Sequence, residues 1–590
     1  MTKSGLFALA ALDGAALVPR DLAALDLDDP RAPFRLQGEG IAAKAVDREE
    51  AGRAANVVER ADGFTLLLGH LDEAEDLAES LGLERGTPPA GLAAAAITRF
   101  GADAPMRMIG EWTLLDWHGP SRTLTLLMSE ASRDPLYFAF DGNRVAASAE
   151  MNRLTRLDWV GRDFDPGGLL FHWSTARLRR YMTDETVFSN VRRLVPGSRE
   201  VFRIGDRRTT RLPAPVPGAP FRGSAGEANE ALEAVMRRIV GQHLSRHGRV
   251  ASLLSGGLDS SLLAWLESAE RRPDQPISFL TSVAPAGSGI PDESEDAKAA
   301  ADHLGFPIRF ITPEPDASLY IPASRMFAHS ELPVASPRHY LYNALYQAAF
   351  DDQADVLFDG AYGELTITNP MPLKLPLWNP RRHVRAWRGW KADRAARREA
   401  PAFPFHVQLP QQVIESIPAL VPHDWKAPYD PVQKLKGHEL WGFRVAAVKN
   451  AMTPTSSPEA RLRHVIPFRD RRLLNLMATM PASLMEQDGL TRAPARKMLA
   501  NGRLPDRVRL RVWGKPFSPD FLVRAERQAL ATIERIDGFR TAGAGEWIDL
   551  DWLEKELRTL SQPGVATYDR VHSVQATAVA AAYMEWWAGQ

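Results

Sequence analysis

From Val250 onward, short apolar runs alternate with segments of helical periodicity. Val250 to Leu254 is a run of the kind a strand covered on both faces shows, and Ser260 to Leu266 after it reads as a helix. Pro276–Ser282, Pro307–Ile311 and Asp355–Asp359 predict further strands. Glu295–Leu304, ended by Gly305, and Tyr340–Phe350 predict helices between them. Such alternation predicts a doubly wound parallel sheet whose ligand lies at the carboxyl ends of its strands. Upstream, Leu232, Val235, Met236, Ile239 and Val240 recur at helical spacing and predict a core helix just before the first strand.

Residues 1 to about 210 are patterned differently, with paired apolar runs and few helices. Gly5–Leu12 reads as a first strand, Phe64–Leu71 as another, and Glu73–Leu81 as a helix ending near Gly82. Met108–Trp117 and Thr123–Met128 predict a hairpin around His118-Gly119-Pro120, and Leu136–Phe140 with Arg144–Ser148 a second across Asp141-Gly142-Asn143. These pairs predict a layered, β-rich domain. Pro213, Pro215, Pro217 and Pro220, with Gly218, Gly223 and Gly226, mark a linker over 211–225, leaving 226–590 as a second domain. The predicted class is therefore α/β, in two parts.

A chain of 590 residues exceeds what one hydrophobic core usually supports. Its 45% apolar and 25% charged content is ordinary for a globular protein, and a net charge of −1 gives no general attraction for nucleic acid. The absence of cysteine excludes disulfides, thiolate metal sites and cysteine nucleophiles. No stretch is long and apolar enough to span a bilayer, and a cytoplasmic location is expected. Arg381, Arg382, Arg385, Arg388, Lys391, Arg394, Arg397 and Arg398 form a basic run with Trp387 and Trp390 interleaved. It reads as a solvated helix face, with a docking surface for a carboxylate-bearing partner as the sharper alternative.

The chemistry concentrates between the first strand and its helix, in Leu254-Ser255-Gly256-Gly257-Leu258-Asp259-Ser260-Ser261. Two glycines let the backbone approach a ligand closely, the helix N-terminus favours an anion, and Asp259 is a hard oxygen ligand for magnesium. The string resembles the PP-loop of ATP pyrophosphatases and, among them, of asparagine synthetase-like amide ligases. It lacks the Gly-Lys-Ser/Thr of a P-loop and the third glycine of a dinucleotide fingerprint.

Further segments carry the same resemblance. Asp359-Gly360-Ala361-Tyr362-Gly363-Glu364 is similar to the family's second loop, with Tyr362 where a glycine is usual and Glu364 where the aspartate falls. Ile466-Pro467-Phe468-Arg469-Asp470 is similar to its Val-Pro-Phe-Leu-Asp segment, and Thr491–Leu499 with Leu504-Pro505 to the stretch after it. Trp513-Gly514-Lys515-Pro516-Phe517-Ser518 places Lys515 on the family's catalytic lysine. The first domain resembles the family's glutaminase-like (Ntn-type αββα) domain through Arg133-Asp134-Pro135-Leu136-Tyr137 and Val191–Gly197. That domain's cysteine nucleophile is missing. Thr2, if exposed by removal of Met1, is the candidate amino-terminal nucleophile in its place, and no base is legible for it, so the domain is read as an inactive scaffold.

The resemblance implies amide formation through an acyl-adenylate, with AMP and pyrophosphate released from ATP. It implies that Ser255, Gly256, Gly257, Leu258 and Ser260 hold the pyrophosphate, that Leu254, Thr281, Asp359 and Gly360 border the nucleotide, and that Asp259 and Glu364 bind Mg2+. It makes Lys515 the catalytic cation, with Arg496 and Tyr362 as further candidates. Without a cysteine glutamine cannot be the nitrogen donor by the family's usual chemistry; β-lactam synthetases and lasso-peptide macrolactam synthetases have such a silent first domain, and in both the substrate carries its own amine. Gly69-His70-Leu71-Asp72, Gly110-Glu111-Trp112 and the altered 360–364 loop are most similar to the latter. A processed precursor peptide is then the expected substrate and a leader-removing protease a partner. The alternatives are an ammonia-dependent asparagine synthetase, a small-molecule amide ligase, or a scaffold whose site Tyr362 and Glu364 have spoiled.

Overall fold

The computed structural model describes residues 5–28, 35–46, 56–132, 135–174, 184–211, 219–368, 406–420, 462–511, 514 and 517–590. Thr2, Arg133-Asp134, residues 212–218 of the proline-rich linker, the basic run at 381–398 and Lys515 lie outside them.

The strands of the first part are β1 (Gly5–Ala11), β2 (Arg35–Gly38), β3 (Ile41–Val46), β4 (Asn56–Arg60), β5 (Gly63–Gly69), β6 (Trp112–His118), β7 (Thr123–Met128), β8 (Tyr137–Phe140), β9 (Arg144–Ser148), β10 (Arg192–Arg193), β11 (Ser198–Arg203) and β12 (Asp206–Arg211). They form two six-stranded antiparallel sheets, ordered β10-β8-β9-β1-β3-β2 and β12-β11-β7-β6-β5-β4. Alternation along β1 explains the layering: Leu6, Ala8 and Ala10 meet Leu66, Leu115 and Leu126 between the sheets, whereas Phe7 and Leu9 face outward. Helices Ala74–Leu81 and Pro89–Phe100 cover the other side of the second sheet through Leu67, Trp112 and Leu114. The result is a helix–sheet–sheet–helix sandwich: the layered, β-rich domain that the paired runs predict, in the arrangement that the resemblance implies.

Both predicted hairpins form, with one correction. The strand expected from Met108 begins only at Trp112, because Met108–Glu111 folds back: His70 N–H donates to the Glu111 carbonyl at 2.8 Å and Asp72 N–H to that of Ile109 at 2.8 Å. Gly69 and Gly110, both at positive φ, permit this approach; a Cβ on either would lie 2.2–2.3 Å from the other strand's carbonyl oxygen.

The second part is built on a parallel sheet of β13 (Val250–Leu253), β14 (Ile277–Ser282), β15 (Ile308–Ile311), β16 (Val356–Phe358) and β17 (Arg463–Val465), ordered β15-β14-β13-β16-β17. Helices Ala225–Arg246 and Leu258–Glu270 bury Leu232, Met236, Leu262 and Leu266 on one side of it, and His339–Asp351 with the carboxyl-terminal helices covers the other. The order places the crossover between β13 and β16, so their carboxyl ends flank a crevice. Of these five strands β17 alone was not predicted, since Arg463-His464-Val465 offers no apolar run to read. Among the described residues no helix is long and apolar enough to cross a membrane.

Candidate nucleotide site

Leu254 ends β13 with its N–H on the Leu280 carbonyl at 2.9 Å, after which the chain turns through Ser255–Gly257 into the helix Leu258–Glu270. Gly256 stands at φ 69, and a Cβ there would meet the Asp296 backbone at 2.6 Å, so the turn lies flush on the helix Ser294–Leu304. Ser255 and Ser260 brace it from inside. Ser255 N–H donates to Ser260 Oγ at 3.1 Å, Gly257 N–H to Ser255 Oγ at 3.2 Å, and Ser260 Oγ to the Gly257 carbonyl at 3.2 Å. The first-turn N–H groups of the helix, which no helix can satisfy internally, are left to face an anion.

The second loop follows β16. Asp359 N–H donates to the Val465 carbonyl at 2.9 Å, and Asp359 Oδ1 accepts from Ala361 N–H at 2.9 Å. Its Oδ2 accepts from His464 Nε2 at 3.0 Å, which leaves Nδ1 of the same ring to accept from the Tyr346 hydroxyl at 3.0 Å. Both Asp359 and His464 are buried. This Asp359–His464–Tyr346 chain was not legible in the sequence; its members come from β16, β17 and the helix His339–Asp351.

The two loops touch. A Cβ on Gly360 would lie 2.9 Å from Ser260 N, and one on Gly363 2.7 Å from the Asp259 carboxylate. Thr368, another residue the sequence did not single out, donates its hydroxyl to Asp259 Oδ1. Burial, with the Glu364 carboxylate nearby, pushes Asp259 up to about 6, against the opposing Thr368 bond. A carboxylate held out of water beside a second one gains from a divalent cation, so Asp259 and exposed Glu364 fit the magnesium that accompanies a nucleotide. Tyr362 adopts a left-handed conformation, φ 69, and the buried Arg469 lies 5.9 Å from its ring centre.

Leu254 to Ser260, Asp359, Gly360 and Tyr362 thus converge at the ends of β13 and β16, and buried Thr281 lies near the end of neighbouring β14. Arg496 lies on the helix Ala493–Met498. It is buried, its Nη2 donates to the Arg511 carbonyl at 2.9 Å, and burial with the nearby Arg492 and Arg509 lowers its pKa. Arg511 in turn reaches the glycine loop, 2.6 Å from Glu293 and 3.5 Å from the Ser255 carbonyl. Beyond Lys515, the Phe517 carbonyl accepts from Ser282 Oγ at the end of β14. The chain on both sides of Lys515 is therefore tied to the carboxyl edge of the sheet.

An aromatic wall stands beside Asp359. Tyr342 lies 5.7 Å from Phe517 and 6.1 Å from Tyr346, ring centre to ring centre, and exposed Arg338 lies over Phe517 at 5.9 Å. Burial raises the Tyr342 pKa, and Asp359 adds to the effect.

Residues 231–588 match the model of the family described as asparagine synthase. No curated protein matches the chain. Among solved structures, a glutamine phosphoribosylpyrophosphate amidotransferase from B. subtilis complexed with ADP and GMP is 11% identical over 61% of this chain and 70% of its own, with a TM-score of 0.23. A structure described as the allosteric regulatory enzyme of purine biosynthesis is 11% identical over 54% and 76%, TM-score 0.24. The U34-tRNA thiolase NcsA from Methanococcus maripaludis, with its 4Fe-4S cluster, is 10% identical over 50% and 79%, TM-score 0.19.

Proposed function

Because this chain belongs to the asparagine synthase family and is an ATP-dependent C–N ligase, we propose that it closes a macrolactam within one peptide. The bond would join the N-terminal amine of a processed precursor to an Asp or Glu side chain, as lasso-peptide macrolactam synthetases do. One observation carries the reading: the sequence contains no cysteine, so glutamine cannot supply nitrogen by the family's cysteine chemistry, which favours a substrate that brings its own amine. The Tyr342–Phe517 wall with Arg338 supports it, since an aromatic face with a cation suits a peptide better than a free amino acid. A processed peptide also calls for a leader-removing protease as partner.

Chemically, an oxygen of the substrate carboxylate attacks the α-phosphorus of ATP and pyrophosphate leaves. The amine then attacks the acyl carbon of the adenylate and AMP leaves. Ser255, Gly256, Gly257, Leu258 and Ser260 hold the departing pyrophosphate with backbone N–H groups and the positive helix end. Asp259 and Glu364 would hold Mg2+, which neutralises phosphate charge when bound. Lys515 is assigned the charge developing in both steps, and the loops keep water from the adenylate.

The test is AMP and amide formation by the purified protein with ATP and magnesium, given either a leaderless lasso-type core peptide or aspartate plus ammonium. Loss of one water from the peptide, with silence toward aspartate, is expected. Asparagine formed in step with AMP would overturn the macrolactam reading and make this an ammonia-dependent synthetase.

A further inference from the structure

We propose that the amino-terminal sandwich, though it lacks a nucleophile, positions the nucleotide site, and that it does so through Glu111, Arg463 and His464. The proposal rests on the reading of the 254–260 and 359–364 loops as an ATP site.

The path begins at the close approach of Gly69 and Gly110. Glu111 sits between Gly110 and Trp112 at the end of β6, its carbonyl accepting from His70 N–H and its backbone pressed against Gly69. Its carboxylate pairs with Arg463 Nη2 across the boundary between the two parts of the molecule. Burial alone would raise the Glu111 pKa, but Arg463, His243 and His70 hold it far below the usual range. The pair is thus charged and mostly shielded from water, and losing either partner strands the other.

Arg463 and His464 are successive residues of β17, so their side chains leave opposite faces of the strand. Arg463 reaches the sandwich, and His464 reaches Asp359 and Tyr346. A strand of three residues, paired among the described residues with β16 alone, has few ladder bonds to fix it. Its side-chain anchors therefore decide where it lies. Asp359 takes its position from β17 twice, by its N–H on Val465 and by its carboxylate on His464. It also sets the turn that seats Gly360 on Ser260 and Gly363 on Asp259. A shift of β17 is passed to the loop that shapes the Asp259 carboxylate.

The experiment measures binding of α,β-methylene-ATP with magnesium to the full chain by calorimetry, with melting curves alongside. We expect Glu111→Gln and His464→Phe each to weaken binding about tenfold, as small displacements at an ordered site do. Their double mutant should be little worse than either alone, because both cut one path. His464→Gln, whose amide can still donate to Asp359, should stay within about threefold of the unaltered protein. Asp76→Asn removes a neighbouring but exposed cross-boundary pair with Arg238 and should leave binding unchanged. Should Glu111→Gln not fold, Glu111→Asp is expected to weaken binding by about threefold through its shorter reach. Unchanged binding in the folded Glu111 variants, or full multiplication of the two losses in the double mutant, would overturn the proposal. An unaltered protein that binds no nucleotide would instead overturn the ATP reading, and the positioning role with it.

Discussion

The two loops that close the nucleotide site are held in opposite ways. The glycine loop holds itself: Ser255 and Ser260 exchange bonds with the backbone of the same few residues, and Gly256 alone supplies the conformation that lets it lie on Asp296. The 359–364 loop is held from elsewhere, by Val465, His464 and Tyr346, and it presses its two glycines onto Ser260 and Asp259. Self-bracing makes a phosphate cradle ready before any ligand arrives. External bracing makes the second loop a reporter of how the rest of the molecule is assembled.

The contrast can be broken at its meeting point. Asp259→Asn should lower AMP formation by about a thousandfold, a loss of the size seen when a charge-stabilising group leaves an active site. It should also stabilise the nucleotide-free protein. Because the native carboxyl is pushed from its ordinary 3.8 up to about 6, the native state keeps its proton where the unfolded chain has lost it. Stability contributed by this group is therefore greatest in acid and is lost as pH rises between those values. Denaturant unfolding at pH 5 and pH 7 should show a fall of about 1 kcal/mol that Asp259→Asn removes, part of the roughly 3 kcal/mol lost across the whole range.

Two glycine substitutions sharpen the difference. Gly256→Ala puts a side chain at positive φ and 2.6 Å from backbone, so about 3 kcal/mol of stability should go with the activity, read as a lower denaturant midpoint. Gly363→Ala meets the Asp259 carboxylate instead, at 2.7 Å and without a positive φ. It should lower kcat/KM for ATP about tenfold with little change in unfolding, since the side chain it displaces can move and the backbone need not. The smallest effect is expected for Ser260→Ala, which removes the braces its hydroxyl gives the glycine loop and should cost about 1 kcal/mol. If Gly363→Ala destabilised the protein as much as Gly256→Ala, the two loops would not differ in the way described.

Much of this was legible in the residues because it is local. The Val250–Leu254 run, the two glycines and the helix after them specify a strand, a turn and an anion-facing helix within one short window, and the alternation beyond it specifies a parallel sheet. The same holds for the paired runs that become the amino-terminal sandwich. The resemblance added the second loop and Lys515, the latter outside the described residues. Arg496 also rests on the resemblance; its Nη2 holds the carbonyl of Arg511, whose own side chain reaches the glycine loop.

By itself, then, the sequence determined the two architectures, the glycine loop and, through the missing cysteine, where the amine cannot come from. Only the tertiary structure decided that a strand of three residues exists at 463–465, that His464 meets Asp359 across 105 positions of chain, and that Thr368 meets Asp259 across 109. The reason is physical. Periodicity and turn chemistry report the neighbours a residue has along the chain, while a single hydrogen bond between distant segments leaves no period to read, and it forms only when the sheet has brought the strand ends together.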